Sequence, residues 1–254
     1  MIPKIIHFCW LSNDPYPSKI KNCIKSWQKH LPEYEIIHWN FSNFDINQSQ
    51  YVKEAFYSGK YPFAADYIRL YALYTYGGIY LDSDVEVLKS YNDLLHLPYF
   101  IGREDTPYGI EAATIGASKG LAWIKLCLSH YDDKKFIQPD GSFDLTPLPS
   151  IMKDTIEQKF TIIDIKNIDE FIFDNDIVSI LPVEYFSPKH WNDKNINNTT
   201  SNTDSIHHFT ESWKKEKKSF FSVQSMKKNI HSTRNKLIGK TTSLKIFFAR
   251  FLKK

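Results

Sequence analysis

The chain has 254 residues, of which 42% are hydrophobic and 24% charged, a composition typical of a globular protein and not of a disordered one. The net charge of +3 hides an asymmetry, because residues 214–254 carry 13 basic side chains and one acidic side chain, whereas residues 1–213 carry 19 basic and 28 acidic ones. We therefore predict a globular domain over residues 1–213 and a separate basic segment over residues 214–254.

The cysteines and the first residues of the chain indicate the cellular compartment of the protein. Cys9, Cys23 and Cys127 are scattered and lack metal-site spacing, which argues against a disulfide framework or a zinc site and favours a reducing compartment. The first residues enter a strand pattern without the features of a signal peptide, and no apolar run is long enough to cross a bilayer. These features predict a cytoplasmic protein.

Strand-like and helix-like segments alternate along the globular part. The predicted strands are 4–8, 35–39, 79–81, 99–101, 112–116, 161–165 and 177–183. The predicted helices are 18–30, 52–57, 63–76, 121–130 and 151–160, the first of them capped by Ser18. The alternation predicts an α/β fold with an open, mixed and largely parallel sheet flanked by helices, in which ligands bind beyond the carboxyl ends of the strands.

Residues 63–86 contain the most informative pattern, a buried helix followed by a glycine break, a short apolar strand and two carboxylates. Gly77 and Gly78 are expected to end the helix, because glycine adopts the positive φ that a helix terminus requires. Asp82 and Asp84 then follow the strand. Because residues two apart in a strand face the same way, the two carboxylates can share a cation.

The ligand chemistry of Asp82 and Asp84 indicates which cation this is. Carboxylate oxygens without thiolates favour Mn²⁺ or Mg²⁺. An ion held by so few protein ligands usually completes its coordination with water and substrate phosphates, which points to a diphosphate. A solvated turn is the alternative reading of so short a motif.

Two further pairs are candidates for the same site. Asp66 and Arg69 lie three residues apart on the predicted helix and therefore share a face, where they form an ion pair with each other or bind hydroxyl groups of a polar ligand. His207 and His208 are the second pair: such a pair more often has a structural role, and a role as a third metal ligand depends on the resemblance described below.

With these residues in view, five segments together resemble a known family. They are 3–10, 65–69, 76–84, 182–188 and 207–213. The sequence resembles the DXD-containing sugar transferases that include fungal initiating α-mannosyltransferases and bacterial capsular polysaccharide transferases, and more distantly the large glucosylating bacterial toxins. The resemblance implies a GT-A fold and a retaining transfer from a nucleotide sugar. One departure is Leu-Thr-Pro at 145–147, where family members often carry Thr-Gly-Pro on the acceptor side.

The resemblance also implies roles for individual residues. Those it assigns to donor binding are Phe8, Trp10, Asp66, Arg69, Tyr80, Asp82, Ser212 and Trp213. Those it assigns to the metal are Asp84, Asp82, His208 and His207. Within these sets, the aromatic pair borders the nucleoside, the helix pair binds the sugar, and Ser212 and Trp213 close over the diphosphate. Asp82, Asp84 and Arg69 are the predicted catalytic residues, and Glu111 is a candidate for contacts in the pocket.

The basic segment has its own pattern. Ile230, Leu237, Leu244 and Phe251 recur at seven-residue spacing, with lysine and arginine on the other faces. This pattern predicts a basic amphipathic helix that binds an anionic membrane surface through residues 222–254. A helix packed on the domain and a coiled-coil seam are the alternatives.

These observations predict a metal-dependent retaining glycosyltransferase with a nucleotide-sugar donor, a UDP-sugar being preferred. The expected acceptor is a glycan or lipid-linked oligosaccharide in capsule or O-antigen polysaccharide biosynthesis, at the inner face of the plasma membrane. The alternatives are a toxin-like effector that glycosylates a protein and a non-catalytic nucleotide- or carbohydrate-binding module. No nucleic-acid partner is expected, because no recognition motif is present.

Overall fold

The computed structural model of the chain describes residues 1–12, 14–106, 109–192 and 197–210. The strands are β1 (Ile5–Cys9), β2 (Glu35–Trp39), β3 (Gly78–Leu81), β4 (Val85–Val87), β5 (Tyr99–Arg103), β6 (Ile110–Ala117), β7 (Thr161–Asp164), β8 (Ile177–Ile180) and β9 (Ser205–His207). The helices are α1 (Ser18–His30), α2 (Gln50–Tyr57), α3 (Tyr61–Tyr76), α4 (Ala122–Ser129) and α5 (Leu148–Ile156).

A five-stranded sheet in the order β2-β1-β3-β6-β5 forms the centre of the domain. Strand β1 pairs in parallel with β2 and β3, whereas β6 runs antiparallel to both β3 and β5, so four of the five strands point the same way. Every residue of β3 and β6 is buried, as expected for the middle of a sheet covered on both faces. The predicted mixed, largely parallel α/β fold is confirmed.

The junction between α3 and β3 requires glycine at two successive positions. Gly77 and Gly78 have φ values of 69° and 109°, in the region that favours glycine. A Cβ atom on Gly78 would lie 2.7 Å from the carbonyl oxygen of Ile5 in β1. The close approach allows α3 to pass directly into β3 beside β1, so that the carboxyl ends of these two strands lie at the same edge of the sheet.

Two small sheets accompany the central one. Strand β4 pairs antiparallel with β9, and β7 pairs in parallel with β8. The sequence patterns predicted neither β4 nor β9, because each is only three residues long. Their pairing joins residues 85–87 to residues 205–207 and so brings the far end of the described chain to the end of β3.

The boundaries differ from the prediction in a few places. Pro17, and not Ser18, is the residue that precedes the first turn of α1, and no side chain caps that helix. Helix α5 begins at Leu148 and ends at Ile156, earlier than predicted, because Pro147 precedes it and a turn leads from it into β7. The strand predicted over 177–183 ends at Ile180.

The described residues do not include the C-terminal segment. The predicted basic helix over 214–254, its membrane-binding part 222–254, and both Ser212 and Trp213 lie outside them. Within the described ranges, no helix combines the length and the apolar character that a membrane span needs.

Candidate active site

The two aspartates lie in a tight turn between β3 and β4. The amide of Asp82 donates to the carbonyl oxygen of Ala113 at 2.8 Å, and the amide of Val85 donates to the carbonyl oxygen of Asp82 at 2.9 Å. The expectation that Asp82 and Asp84 share one face of a strand is therefore wrong, because a turn and not a strand carries them. The turn nevertheless brings them together, since ligand atoms of Asp82, Asp84 and His207 all lie within 4.8 Å of one another.

Arg69 organises the first half of the site, which we call the guanidinium cluster and define as Asp66, Arg69, Tyr80 and Asp82. Its Nη2 atom lies 2.9 Å from Oδ1 of Asp82 and 3.3 Å from Oδ1 of Asp66. Its Nη1 atom donates to the carbonyl oxygen of Ala112 in β6. The guanidinium carbon lies 4.4 Å from the centre of the Tyr80 ring.

Burial determines how these groups titrate. Burial raises the pKa of Asp66 to about 7, against the opposing charge of Arg69 and with a further contribution from Asp82. Burial likewise raises the pKa of Asp82, again opposed by Arg69. The pKa of Arg69 itself is raised, because its neighbours, Asp82 foremost, outweigh the effect of burial. The cluster therefore holds one permanent cation between two carboxyl groups.

Asp84 has a different set of partners. Its Oδ2 atom accepts hydrogen bonds from the amide and the hydroxyl of Thr210, at 2.8 and 2.9 Å. Its Oδ1 atom lies 3.6 Å from Nε2 of His207, which is the residue paired with Val85 across β4 and β9. Burial would raise the pKa of Asp84, but the charge of His207 and the Thr210 hydrogen bonds outweigh it, so the pKa is lowered. Asp84 is therefore ionised, and Thr210 already donates hydrogen bonds to one of its two carboxylate oxygens.

Two glutamates lie behind His207 and complete what we call the histidine cluster, defined as Asp84, Glu104, Glu111 and His207. The Nδ1 atom of His207 is 3.6 Å from Oε1 of Glu111 and 3.7 Å from Oε2 of Glu104. Glu111 is fully buried, and within the part of the chain that the structure describes its Oε2 atom has no hydrogen-bond partner. Its Oε1 atom accepts from the amide of Ala113 at 2.6 Å.

The charges of the histidine cluster depend on one another. Burial alone would lower the pKa of His207, but Asp84, Glu111 and Glu104 raise it to about 10. Burial and the nearby Glu104 raise the pKa of Glu111 to about 8, opposed by the charge of His207. The surrounding carboxyl groups thus keep His207 protonated, whereas burial favours the protonated form of Glu111.

The ring of the adjacent histidine lies apart from the carboxylates of Asp82 and Asp84. The Nε2 atom of His208 is 2.7 Å from Oε2 of Glu86, and its Nδ1 atom is 3.2 Å from Nζ of Lys189. Burial lowers the pKa of His208, against the opposing effect of Glu86. Of the two histidines predicted as metal ligands, only His207 has its ring beside the carboxylate of Asp84; the ring of His208 contacts Glu86.

The N-terminal aromatic residues lie at the end of the neighbouring strand. Phe8 is buried and stacks on His38, with ring centres 4.8 Å apart and planes inclined by 17°. Trp10 is half-buried, packs edge-on against Tyr16 at 5.1 Å, and donates from its indole nitrogen to the carbonyl oxygen of Asp14 at 2.9 Å. Their contacts with a nucleoside remain predictions, as do the roles of Ser212 and Trp213, which lie outside the described residues.

The residues at the turn form a ligand set that fits a divalent cation. Asp82 and Asp84 offer carboxylate oxygens, and His207 offers Nε2 once that atom has lost its proton. Oxygen ligands with a single imidazole suit Mn²⁺ well and Mg²⁺ less well. The carboxyl groups of Glu104 and Glu111, on the far side of the imidazole, also fit such a site, because a metal-binding histidine usually has a carboxylate beside its other ring nitrogen.

Comparison with known proteins agrees with this geometry. Residues 17–101 match the family described as glycosyltransferase sugar-binding region containing DXD motif. The chain is 36% identical over 127 residues to inositol phosphoceramide mannosyltransferase 3 of Schizosaccharomyces pombe, which covers 48% of this chain and 35% of the relative. It is 35% identical over 121 residues to mannosyl phosphorylinositol ceramide synthase CSH1 of Saccharomyces cerevisiae, which covers 46% of this chain and 32% of the relative.

These alignments cover about a third of the length of the curated relatives. Among solved structures, the PaToxG glycosyltransferase is similar at 20% identity and a TM-score of 0.46, over 62% of this chain and 69% of that one. The matched family and both fungal relatives are glycosyltransferases. The predicted resemblance to the DXD-containing sugar transferases is confirmed by the match over residues 17–101, a segment that includes Asp66, Arg69, Asp82 and Asp84.

Proposed function

We propose that the protein is a metal-dependent, retaining glycosyltransferase of GT-A type that moves a sugar from a nucleotide-sugar donor to a glycan carried by a lipid. One observation carries the proposal. The guanidinium cluster and the histidine cluster meet at Asp82 and Asp84, so groups suited to sugar hydroxyls and groups suited to a cation face the same turn. The family match over this region supports the same reading.

In this proposal the histidine cluster binds the metal and the guanidinium cluster orients the donor sugar. Asp84 and His207 hold Mn²⁺ or Mg²⁺, with Asp82 beside them. When bound, the ion supplies positive charge that stabilises the departing nucleoside diphosphate. Asp66 and Arg69 orient the donor sugar through its hydroxyl groups, and orientation of this kind can supply a large part of the rate acceleration.

Glu104 and Glu111 position the metal-binding histidine. A histidine that binds a metal through Nε2 usually donates its Nδ1 proton to a carboxylate, which fixes the tautomer and the ring orientation. The two glutamate oxygens lie 3.7 and 3.6 Å from Nδ1 of His207, on the side of the ring opposite Asp84. Nδ1 of His207 has no hydrogen-bond partner among the described residues, so either glutamate could accept its proton after a small shift of a side chain.

The identity of the donor and acceptor is also part of the proposal. The names of the fungal relatives specify transfer of mannose to an inositol phosphoceramide, a lipid that carries phosphate. We extend to this chain the class of acceptor, a glycolipid, and keep a UDP-sugar as the preferred donor and capsule or O-antigen assembly as the preferred setting. The expected location is the cytoplasmic face of the plasma membrane.

The proposal is tested by measuring donor hydrolysis and transfer for the full-length protein with a panel of uridine and guanosine diphosphate sugars, with and without Mn²⁺. Wild-type protein should release nucleoside diphosphate only when the metal is present. Asp84→Asn should abolish the release, whereas Asp154→Asn, an exposed carboxylate on α5, should match wild type. Equal turnover by Asp84→Asn, or no metal-dependent turnover of any donor, would reject the proposed chemistry.

A further inference from the structure

Helix α1 carries a basic face that contrasts with the rest of the domain. Lys19, Lys21, Lys25 and Lys29 are all exposed, and α1 contains no acidic residue. Residues 1–213 have a net charge of −9, so this accumulation of positive charge is local. A charged face of this kind is expected to attract anions over the distance of a Debye length.

Part of the basic face lines a groove of about 540 Å³ between α1 and the end of β4. The lining residues are Asn22, Lys25, Ser26, Lys29, His30, Glu86, Val87 and Leu88. The helical members recur at intervals of three and four residues, which places them on one side of α1. The groove therefore presents two lysines, an amide and an imidazole along a single helix face.

The two lysines of the groove have no acidic partner. Among the residues that the structure describes, no carboxylate oxygen lies within 4.0 Å of the amino group of Lys25 or Lys29, whereas Lys19 reaches Glu86 at 3.9 Å. Glu86 itself is held by His208 at 2.7 Å. The ammonium groups of Lys25 and Lys29 are therefore available to an external anion, although Glu86 also lines the groove.

The groove lies beside the candidate active site. Glu86, which lines the groove, lies in β4 and follows Asp84 by two residues, since Asp84 belongs to the turn that precedes this strand. The indole nitrogen of Trp27 in α1 donates to the carbonyl oxygen of Val85 at 2.8 Å, which fixes the helix against that strand. An anion bound by Lys25 and Lys29 would thus be held on the opposite side of β4 from the histidine cluster.

We propose that the α1 groove binds the phosphate-bearing headgroup of an anionic membrane lipid and so docks the domain on the membrane that carries the acceptor. The link to the acceptor rests on the proposed function, whereas binding of the lipid does not. The ammonium groups of Lys25 and Lys29 pair with the phosphate, and the amide of Asn22 can hydrogen-bond to its oxygens or to an inositol hydroxyl. This surface is distinct from residues 222–254, for which membrane binding was predicted from the sequence.

The test is co-sedimentation of the full-length protein with vesicles of phosphatidylcholine, with or without phosphatidylinositol, in the absence of donor and metal. Lys25→Gln/Lys29→Gln should weaken binding to the phosphatidylinositol vesicles roughly tenfold to thirtyfold, since each lysine near an anionic surface contributes about a fivefold factor. Lys159→Gln/Lys166→Gln removes the same charge from exposed positions elsewhere and should bind as wild type does.

The basic C-terminal segment is present in every variant, so its contribution cancels in the comparison. Soluble inositol phosphate at matched phosphate concentration should compete only weakly, because it lacks the membrane surface. Equal vesicle binding by the two double variants would overturn the proposal, and so would full competition by inositol phosphate. Because donor and metal are absent, either result is independent of whether the protein transfers a sugar.

Discussion

Asp82 and Asp84 are two residues apart in one turn, yet their side chains have different partners and their pKa values shift in opposite directions. Asp82 is bound by Arg69, a cation that cannot lose its proton under physiological conditions. Asp84 is bound by Thr210 and approached by His207, a cation that can. The pKa of Asp82 is raised by burial, whereas that of Asp84 is lowered by its donors.

The difference suggests a division of labour within the motif. In the guanidinium cluster, the carboxyl groups are already paired with a permanent cation, Arg69. A hydrogen bond from Arg69 to β6 fixes the position of that cation. In the histidine cluster, Asp84 and His207 would hold the proposed divalent ion, and His207 would first have to release the proton on Nε2. The first cluster is thus built for positioning and the second for metal binding.

Among the substitutions that test this difference, replacement of Arg69 should have the largest effect on stability and turnover. Arg69→Met should lower the free energy of unfolding by about 3–5 kcal/mol, because Asp66 and Asp82 lose their shared buried partner. Donor turnover should fall about 10³-fold when measured at a temperature where the variant is folded. Arg103→Met is the matched control, and it should cost less than about 1 kcal/mol, because its partner Asp164 is mostly exposed.

A second substitution separates positioning from simple loss of stability. Asp66→Asn introduced into Arg69→Met should recover part of the lost stability, since one of the two unpaired carboxylates is then neutral. Thermal unfolding of the single and double variants measures this directly. A double variant less stable than Arg69→Met would show that Asp66 and Arg69 do not act as a buried pair.

The glutamates behind His207 provide an intermediate test. Glu104→Gln/Glu111→Gln removes both carboxyl groups that face Nδ1 and should weaken Mn²⁺ binding by about 10–100-fold. Either single substitution should have a smaller effect, because the remaining carboxylate still faces the ring. Calorimetric titration with Mn²⁺ measures the affinity, with the exposed pair Glu33→Gln/Glu157→Gln as control. Unchanged affinity in the buried double variant would remove the glutamates from the metal site.

The smallest expected effect is a pH dependence of stability in the absence of metal. The pKa of His207 is raised from 6.5 to about 10, so its contribution is fully present below pH 6.5 and is lost as the pH rises toward 10. The wild-type protein should therefore lose stability across this window relative to His207→Gln, by at least about 1.4 kcal/mol, the equivalent of one pKa unit. Urea unfolding at a series of pH values tests this. The exposed His96→Gln variant should follow wild type, and identical slopes for all three proteins would contradict the assignment.

Local chemistry explains which parts of the fold could be predicted from the sequence. The junction from α3 to β3 was predictable because Gly77 and Gly78 mark it and an apolar strand follows. The pairing of β4 with β9 was not, because each strand has three residues and their partners are more than a hundred residues apart. No local pattern distinguishes the turn at Asp82–Asp84 from a continuing strand, since β4 begins immediately after it.

The same limits apply to the site. Asp66, Arg69, Asp82 and Asp84 were named from the sequence because they are close together along the chain. The choice between His207 and His208 depends on the register of β4 with β9, which no local pattern encodes. Glu104 was missed altogether, because it follows β5 in a loop and becomes informative only when β6 and β9 place Glu111 and His207 beside it.

The division between the two aspartates is tested most directly by Mn²⁺ binding, measured from the electron paramagnetic resonance signal of the free ion. Wild type, Asp82→Asn and Asp84→Asn are compared in the presence of a nucleoside diphosphate. Asp84→Asn should lose affinity by at least about 100-fold, and Asp82→Asn should lose markedly less, because Asp82 is already bound by Arg69. A loss for Asp82→Asn equal to or greater than that for Asp84→Asn would contradict this division.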